Sequence, residues 1–96
     1  MVSRNKQKME EKLAEVAKDS SIKTRAVVFD FSTQTTIQEY KEHIAAKISD
    51  LDIGLLFLNA GFAMGGPFTD VTENEVSKVV TVNTLHPVFL LKTVID

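Results

Sequence analysis

The sequence predicts an α/β domain built on a parallel sheet. Short apolar runs alternate with stretches whose apolar residues recur at helical spacing, the order strand, helix, strand, helix, strand, helix. The longest run, Ile53-Gly54-Leu55-Leu56-Phe57-Leu58, is continuous rather than alternating and is cut off by Asn59-Ala60-Gly61. A run of that kind is expected to be a parallel strand covered on both faces. The loop behind it lies at the carboxyl end of the sheet, where open α/β folds bind ligands.

Each element has its own local reason. Met1-Val2-Ser3-Arg4 reads as the end of a strand. Asn5 is placed to cap a helix by accepting a first-turn N–H, and Met9, Leu13, Val16 and Ala17 then recur at helical spacing. The lysines and glutamates between Lys6 and Lys18 form its solvated face. Asp19-Ser20-Ser21 ends it, and Arg25-Ala26-Val27-Val28-Phe29 is a second strand closed by Asp30. Thr36 with Glu39 has the spacing of a capping box, followed by a buried stripe of Ile37, Tyr40, Ile44 and Ile48. Gly61 to Asp70 holds three of the four glycines and Pro67, so it is a loop. Thr72 and Glu75 begin another capped helix, running towards Ile95.

Composition narrows the function. The 96 residues are 44% hydrophobic, enough for one small domain, here taken as residues 1–96. A net charge of -2 and a pI of 5.6 give no basic surface for nucleic acid. Without cysteine there is no disulfide, thiolate nucleophile or cysteine zinc site, and His43 and His86 alone make no metal cluster. No stretch approaches the roughly 20 apolar residues of a membrane helix, and the N-terminus lacks a signal-peptide core. The composition is that of a soluble, intracellular chain.

Asn83 is the informative polar residue of the last helix. Val76, Val80, Asn83 and Pro87 fall on one stripe, and a buried amide there needs hydrogen-bond partners. Pro87 has no N–H to bond the Asn83 carbonyl, so the helix is expected to kink and leave that oxygen free for water. The alternative is a break, with Asn83 in a cap and Pro87 opening a new helix. His86 reads as a packing or solvent-facing residue, His43 as exposed among Lys41, Glu42 and Lys47, and Tyr40 as core.

Ser3-Arg4-Asn5 after a strand, Asp30 after the next, Asn59-Ala60-Gly61 after the next, and Val82-Asn83 in the following helix come in the order of a known family. The chain resembles the short-chain dehydrogenase/reductase family along essentially its whole length. Val2-Ser3-Arg4-Asn5 with Lys6 and Lys8, and Asp52-Ile53-Gly54-Leu55-Leu56, are similar to the branch of 17β-hydroxysteroid dehydrogenases and very-long-chain 3-oxoacyl-CoA reductases. The resemblance implies a partial Rossmann-like, doubly wound parallel sheet, without its first strand and its C-terminal half. It also implies an NADP cofactor. Arg4 ends the strand that meets the adenosine ribose, where a guanidinium pairs with a 2′-phosphate, and Ser3 and Asn5 are supporting donors. Asp30 would accept from the adenine amine, with Phe31 beside the ring through its backbone or its side chain. Ala60 and Gly61 would let backbone approach the adenine ribose, Gly61 through its conformational freedom, and Asn59 would stabilise the sheet as much as touch the ligand. Leu58 stands where the fuller family pattern has a second asparagine. The backbone oxygen of Asn83 would support a proton-relay water beside the family's catalytic lysine.

The same resemblance sets the glycine-rich turn ahead of Met1 and the Ser, Tyr and Lys of the chemistry after Asp96. Tyr40 is followed four residues on by Ile44, so it does not supply the Tyr-x-x-x-Lys pattern. The parent reaction is then reduction of a lipid-like ketone, steroid or long-chain 3-oxoacyl, by NADPH, with this chain alone not catalytic. A homodimer through the last helix and an endoplasmic-reticulum or cytoplasmic location follow from relatives. The unpaired 53–58 strand invites association, and the isolated chain is expected to be marginally stable or molten. The rival reading is a non-catalytic α/β interaction module pairing through that exposed edge. A flavodoxin-like regulator ranks last, because Asp30 stands without an acidic cluster.

Overall fold

The computed structural model describes residues 1–96 as two compact units, Met1–Asp30 and Phe31–Asp96. The chain has a partial Rossmann-like α/β fold, with a small open parallel sheet and helices.

In the first unit, strand β1 (Val2–Ser3) pairs in parallel with β2 (Val27–Val28), Val2 opposite Val27 and Ser3 opposite Val28. The Val27 N–H donates to the Met1 carbonyl at 2.9 Å and the Phe29 N–H to the Ser3 carbonyl at 3.0 Å. Val27 and Phe29 are buried while Val28 between them is exposed, the alternation that a strand imposes. Helix α1 (Lys6–Ala17) starts as its sequence predicts: the Lys8 N–H donates to Asn5 Oδ1 at 2.9 Å. Met9 is its buried residue, and Leu13 and Ala17 are half-buried. Val16 is 55% exposed, so it does not belong to the buried stripe expected for it.

The second unit is helical. Helix α2 (Ile37–Tyr40) runs through a π turn at Lys41–Ala45 into α3 (Ala46–Ile48). Its capping box is complete. The Glu39 N–H donates to Thr36 Oγ1 at 3.3 Å, and Glu39 Oε2 accepts from the Thr36 N–H at 2.9 Å. Helix α4 (Glu73–Val80) has the same device, with Thr72 and Glu75. It continues through a second π turn at Thr81–Leu85 into α5 (His86–Ile95). Helix α5 packs on α2 and its π turn, burying Tyr40, Ile44 and Leu90. Each such burial contributes roughly 1.5–3 kcal/mol.

The run at 53–58 departs from expectation. It joins no sheet, and it is not covered on both faces: Leu55 is 72% and Phe57 79% exposed. Apolar side chains favour a covered strand only where a neighbouring strand supplies the ladder, and here the sheet stops at β1 and β2.

The last helix corrects a second expectation. Its buried stripe is Val82, His86, Leu90 and Thr93, while Val76 and Val80 are exposed. Ahead of the π turn the half-buried positions of α4 are Glu75, Lys78 and Val79, in line with Val82 and His86, so the inward face lies one residue off the expected stripe along the whole helix. The helical course continues past Pro87, which sits in the first turn of α5 directly after the wide turn. Asn83 is therefore inside a π turn and not in a cap.

Candidate functional site

Three groups of residues carry the expected site. The first lies at the carboxyl end of the two-stranded sheet. Because β1 and β2 are parallel and Ser3 faces Val28, Arg4 and the Phe29-Asp30 step leave the sheet from the same end. Ser3 and Asp30 are half-buried and Arg4 is exposed. Asn5 commits its Oδ1 to the cap of α1, so its Nδ2 is what remains to donate. The first turn of α1 holds no acidic residue, and Lys6 and Lys8 stand in it. Helices α2 and α4 differ: Glu39 occupies the first turn of one, Glu73 and Glu75 that of the other. Acidic side chains complement the positive end of a helix, so the opening of α1 is left electropositive.

The second group is the loop after residue 58. Asn59, Ala60 and Gly61 are exposed. Their loop is held by a reciprocal pair. Asn83 Nδ2 donates to the Phe62 carbonyl at 2.7 Å, and the Phe62 N–H donates to Asn83 Oδ1 at 2.9 Å. The side-chain amide thus imitates a strand neighbour for one residue of loop backbone. The sequence pointed to Asn83 as an amide in need of partners if buried; the residue is exposed, its amide is paired all the same, and nothing local marks Phe62 as the partner. Gly61 does not need the conformational freedom expected of it. The positive φ in this loop belongs to Gly66, at 103°. A Cβ on Gly61 would meet Asn83 Oδ1 at 3.5 Å, an ordinary contact.

The third group is aromatic. Phe31, expected beside adenine, places its ring on His86, with centroids 3.5 Å apart and planes 31° apart. Tyr40 lies alongside, its hydroxyl 3.5 Å from His86 Nδ1, and Phe89 meets Tyr40 edge-on at 5.6 Å. His86 is 2% exposed, so it is core and does not face solvent. Burial holds its imidazole below the ordinary value of 6.5. Burial, with the nearby Glu39 carboxylate, pushes the Tyr40 phenol up to about 12, so it stays neutral. The spacing of Val82, His86, Leu90 and Thr93 carried the signal for His86, and its polarity hid it.

The profile of the short chain dehydrogenase family matches residues 1–96. The chain belongs to the short chain dehydrogenase family. Among relatives, the very-long-chain 3-oxoacyl-CoA reductase of Bos taurus is 29% identical over 89 residues, which are 88% of this chain and 27% of that protein. The reductase of the same name from Pyricularia oryzae is 32% identical over 88 residues, 88% of this chain and 26% of the relative. This member of the family therefore spans about a quarter of the length of these relatives. The bulky-bulky ketone specific alcohol dehydrogenase from Comamonas testosteroni superposes with a TM-score of 0.81 at 24% identity, over 98% of this chain and 36% of the other. That likeness establishes the fold of this short chain dehydrogenase member. No helix is long and apolar enough to cross a membrane.

Proposed function

We propose that this chain carries the adenosine side of an NADP site in a short chain dehydrogenase that reduces a ketone on a lipid-like substrate. The observation that supports it best is Arg4 at the end of β1, leading into a helix whose first turn holds Lys6 and Lys8 and no acid. A 2′-phosphate suits that position: a guanidinium binds it bidentately and a helix N-terminus favours negative charge. A bare 2′-hydroxyl would be better served by a carboxylate. Ser3 and the Asn5 Nδ2 add donors, and Asp30, at the same end of the sheet, offers an acceptor for the adenine amine. NADPH, when bound, supplies the hydride.

Asn59, Ala60 and Gly61 border the ribose in this reading, and the Asn83–Phe62 pair keeps their loop in place. The backbone oxygen of Asn83 supports a proton-relay water in the complete enzyme. Phe31 contributes through its backbone, because its ring is engaged with His86. The substrate class comes from relatives named for very-long-chain 3-oxoacyl-CoA. Val80, Val88, Leu91 and Ile95 leave an exposed apolar stripe on α4 and α5, suited to a homodimer through the last helix.

The test is an NMR titration of the full chain with 2′,5′-ADP and with 5′-ADP. Stronger binding of 2′,5′-ADP, with the Ser3, Arg4 and Asn5 amides shifting and Arg4→Ala abolishing the preference, supports the reading. Equal binding of the two nucleotides contradicts it. The exposed Leu55 and Phe57 favour a second reading, a non-catalytic module that pairs through this run. That reading predicts tight self-association or partner capture with no nucleotide preference.

A further inference from the structure

We propose that His86 is a pH-sensitive latch that holds α5 against α2 and the Phe31 segment, closed while its ring is neutral and loosened when the ring takes a proton. The geometry gathers three aromatic rings, Phe31, Tyr40 and Phe89, into one cluster with the His86 imidazole. Phe31 covers the His86 face at 3.5 Å, Tyr40 lies 6.3 Å away from both, and Phe89 closes the Tyr40 edge at 5.6 Å. His86 is 2% and Tyr40 0% exposed, so a charge formed here has little water to solvate it.

The surrounding groups offer little compensation. The titratable group facing His86 is the Tyr40 hydroxyl, which stays protonated and neutral. On the helix that carries Tyr40, Glu39 is engaged by Thr35 and Thr36 and Glu42 accepts from Gln38. Lys41, His43 and Lys47 of the same helical course are exposed. On α5 itself the charged pair is Lys92 with Asp96, exposed and further along the helix. Asp30 precedes Phe31 in the chain. Burial is the cause of the lowered imidazole value, with no carboxylate offsetting it. The Phe31 face attracts an imidazolium through its quadrupole, a smaller effect than the loss of hydration.

The sign follows from linkage. The folded state holds His86 below its unfolded value, so between those values the unfolded chain binds more protons. Stability is full above about pH 7 and falls as acid protonates the ring. The effect precedes that of the carboxylates, whose ordinary value is 4.5. Asn83 sits one turn before His86, so an open latch also loosens the clamp on Phe62.

The experiment is an NMR pH titration of the full chain with labelled histidine, joined to urea unfolding of wild type, His86→Gln and His43→Gln between pH 7.5 and 5. The expected result is a His86 midpoint below 6.5, with the Phe31 and Phe89 ring signals moving at the same midpoint. Phe62 amide exchange should quicken in step. The unfolding constant should rise about tenfold for each pH unit separating the folded and unfolded midpoints. His86→Gln flattens that rise and His43→Gln keeps it. A His86 midpoint at or above 6.5, or parallel pH dependence in wild type and His86→Gln, overturns the proposal. If His86→Gln does not fold, the wild-type midpoint and ring shifts decide.

Discussion

Two apolar segments of the same unit met opposite fates. Tyr40 and Ile44, in a helix, are 0% exposed, while Leu55 and Phe57, in the longest apolar run, are 72% and 79% exposed. The run is the more hydrophobic of the two by sequence, so hydrophobicity alone did not decide burial. The helix satisfies its own backbone and needs only a neighbouring face, which α5 supplies within the same unit. The run needs hydrogen-bonding strands on its flanks before its side chains are covered, and β1 and β2 pair with each other instead. The lesson is that an apolar run reports what must be covered, while its partners decide whether it is.

The largest expected effect tests the helical side of that contrast. Tyr40→Ala removes a fully buried ring from the aromatic cluster and should cost about 3–5 kcal/mol, read as a large fall in the urea midpoint. Retention of a wild-type midpoint would break the comparison. Next is the clamp that ties the two kinds of segment together. Asn83→Ala loses both bonds to Phe62, roughly 0.5–1.5 kcal/mol each, and should speed exchange of the Phe62 amide. Unchanged exchange would deny the amide its role. Thr72→Ala removes the cap of α4 and should lower stability by about 1 kcal/mol, read by circular dichroism. At the small end, Phe57→Ser should leave the urea midpoint within about 0.5 kcal/mol of wild type and reduce self-association in light scattering. A large loss of stability there would mean that Phe57 is packed after all.

Acid sharpens the contrast in a second way. Hydrogen bonds from Thr36 hold the Glu39 carboxyl below its ordinary value, and those from Thr72 do the same for Glu75. A depressed carboxylate stabilises the fold above its unfolded value, and that contribution disappears as pH falls through the folded one. Helicity at the starts of α2 and α4 should therefore weaken below about pH 4.5, and Thr36→Ala should blunt the change at α2.

What the sequence revealed divides along the same line. Asn5, the Thr36–Glu39 box and the Thr72–Glu75 box were readable because a helix start is decided within four residues. The two strands were readable from short apolar runs broken by polar residues, although the second spans Val27–Val28 and not the whole of Arg25–Phe29. Less readable was anything set by distant partners. The absence of a ladder at 53–58 depends on strand pairing, and the Phe62–Asn83 bonds join residues 21 apart. The inward face of the last helix lies one residue off the expected stripe, running through Glu75, Val79, Val82 and His86 in place of Val76, Val80, Asn83 and Pro87. Within the candidate site, the shared exit of Arg4 and Asp30 from one end of the sheet follows from the parallel pairing the sequence predicts, while the engagement of Phe31 by His86 depends on a distant helix.

Amide hydrogen exchange, resolved by residue on the full chain, addresses the contrast most directly. Slow exchange across Tyr40–Ile48 and Leu90–Ile95, with fast exchange throughout 53–58, is the result expected of a packed helix pair beside an uncovered run. Protection of 53–58 equal to that of the helices would contradict it.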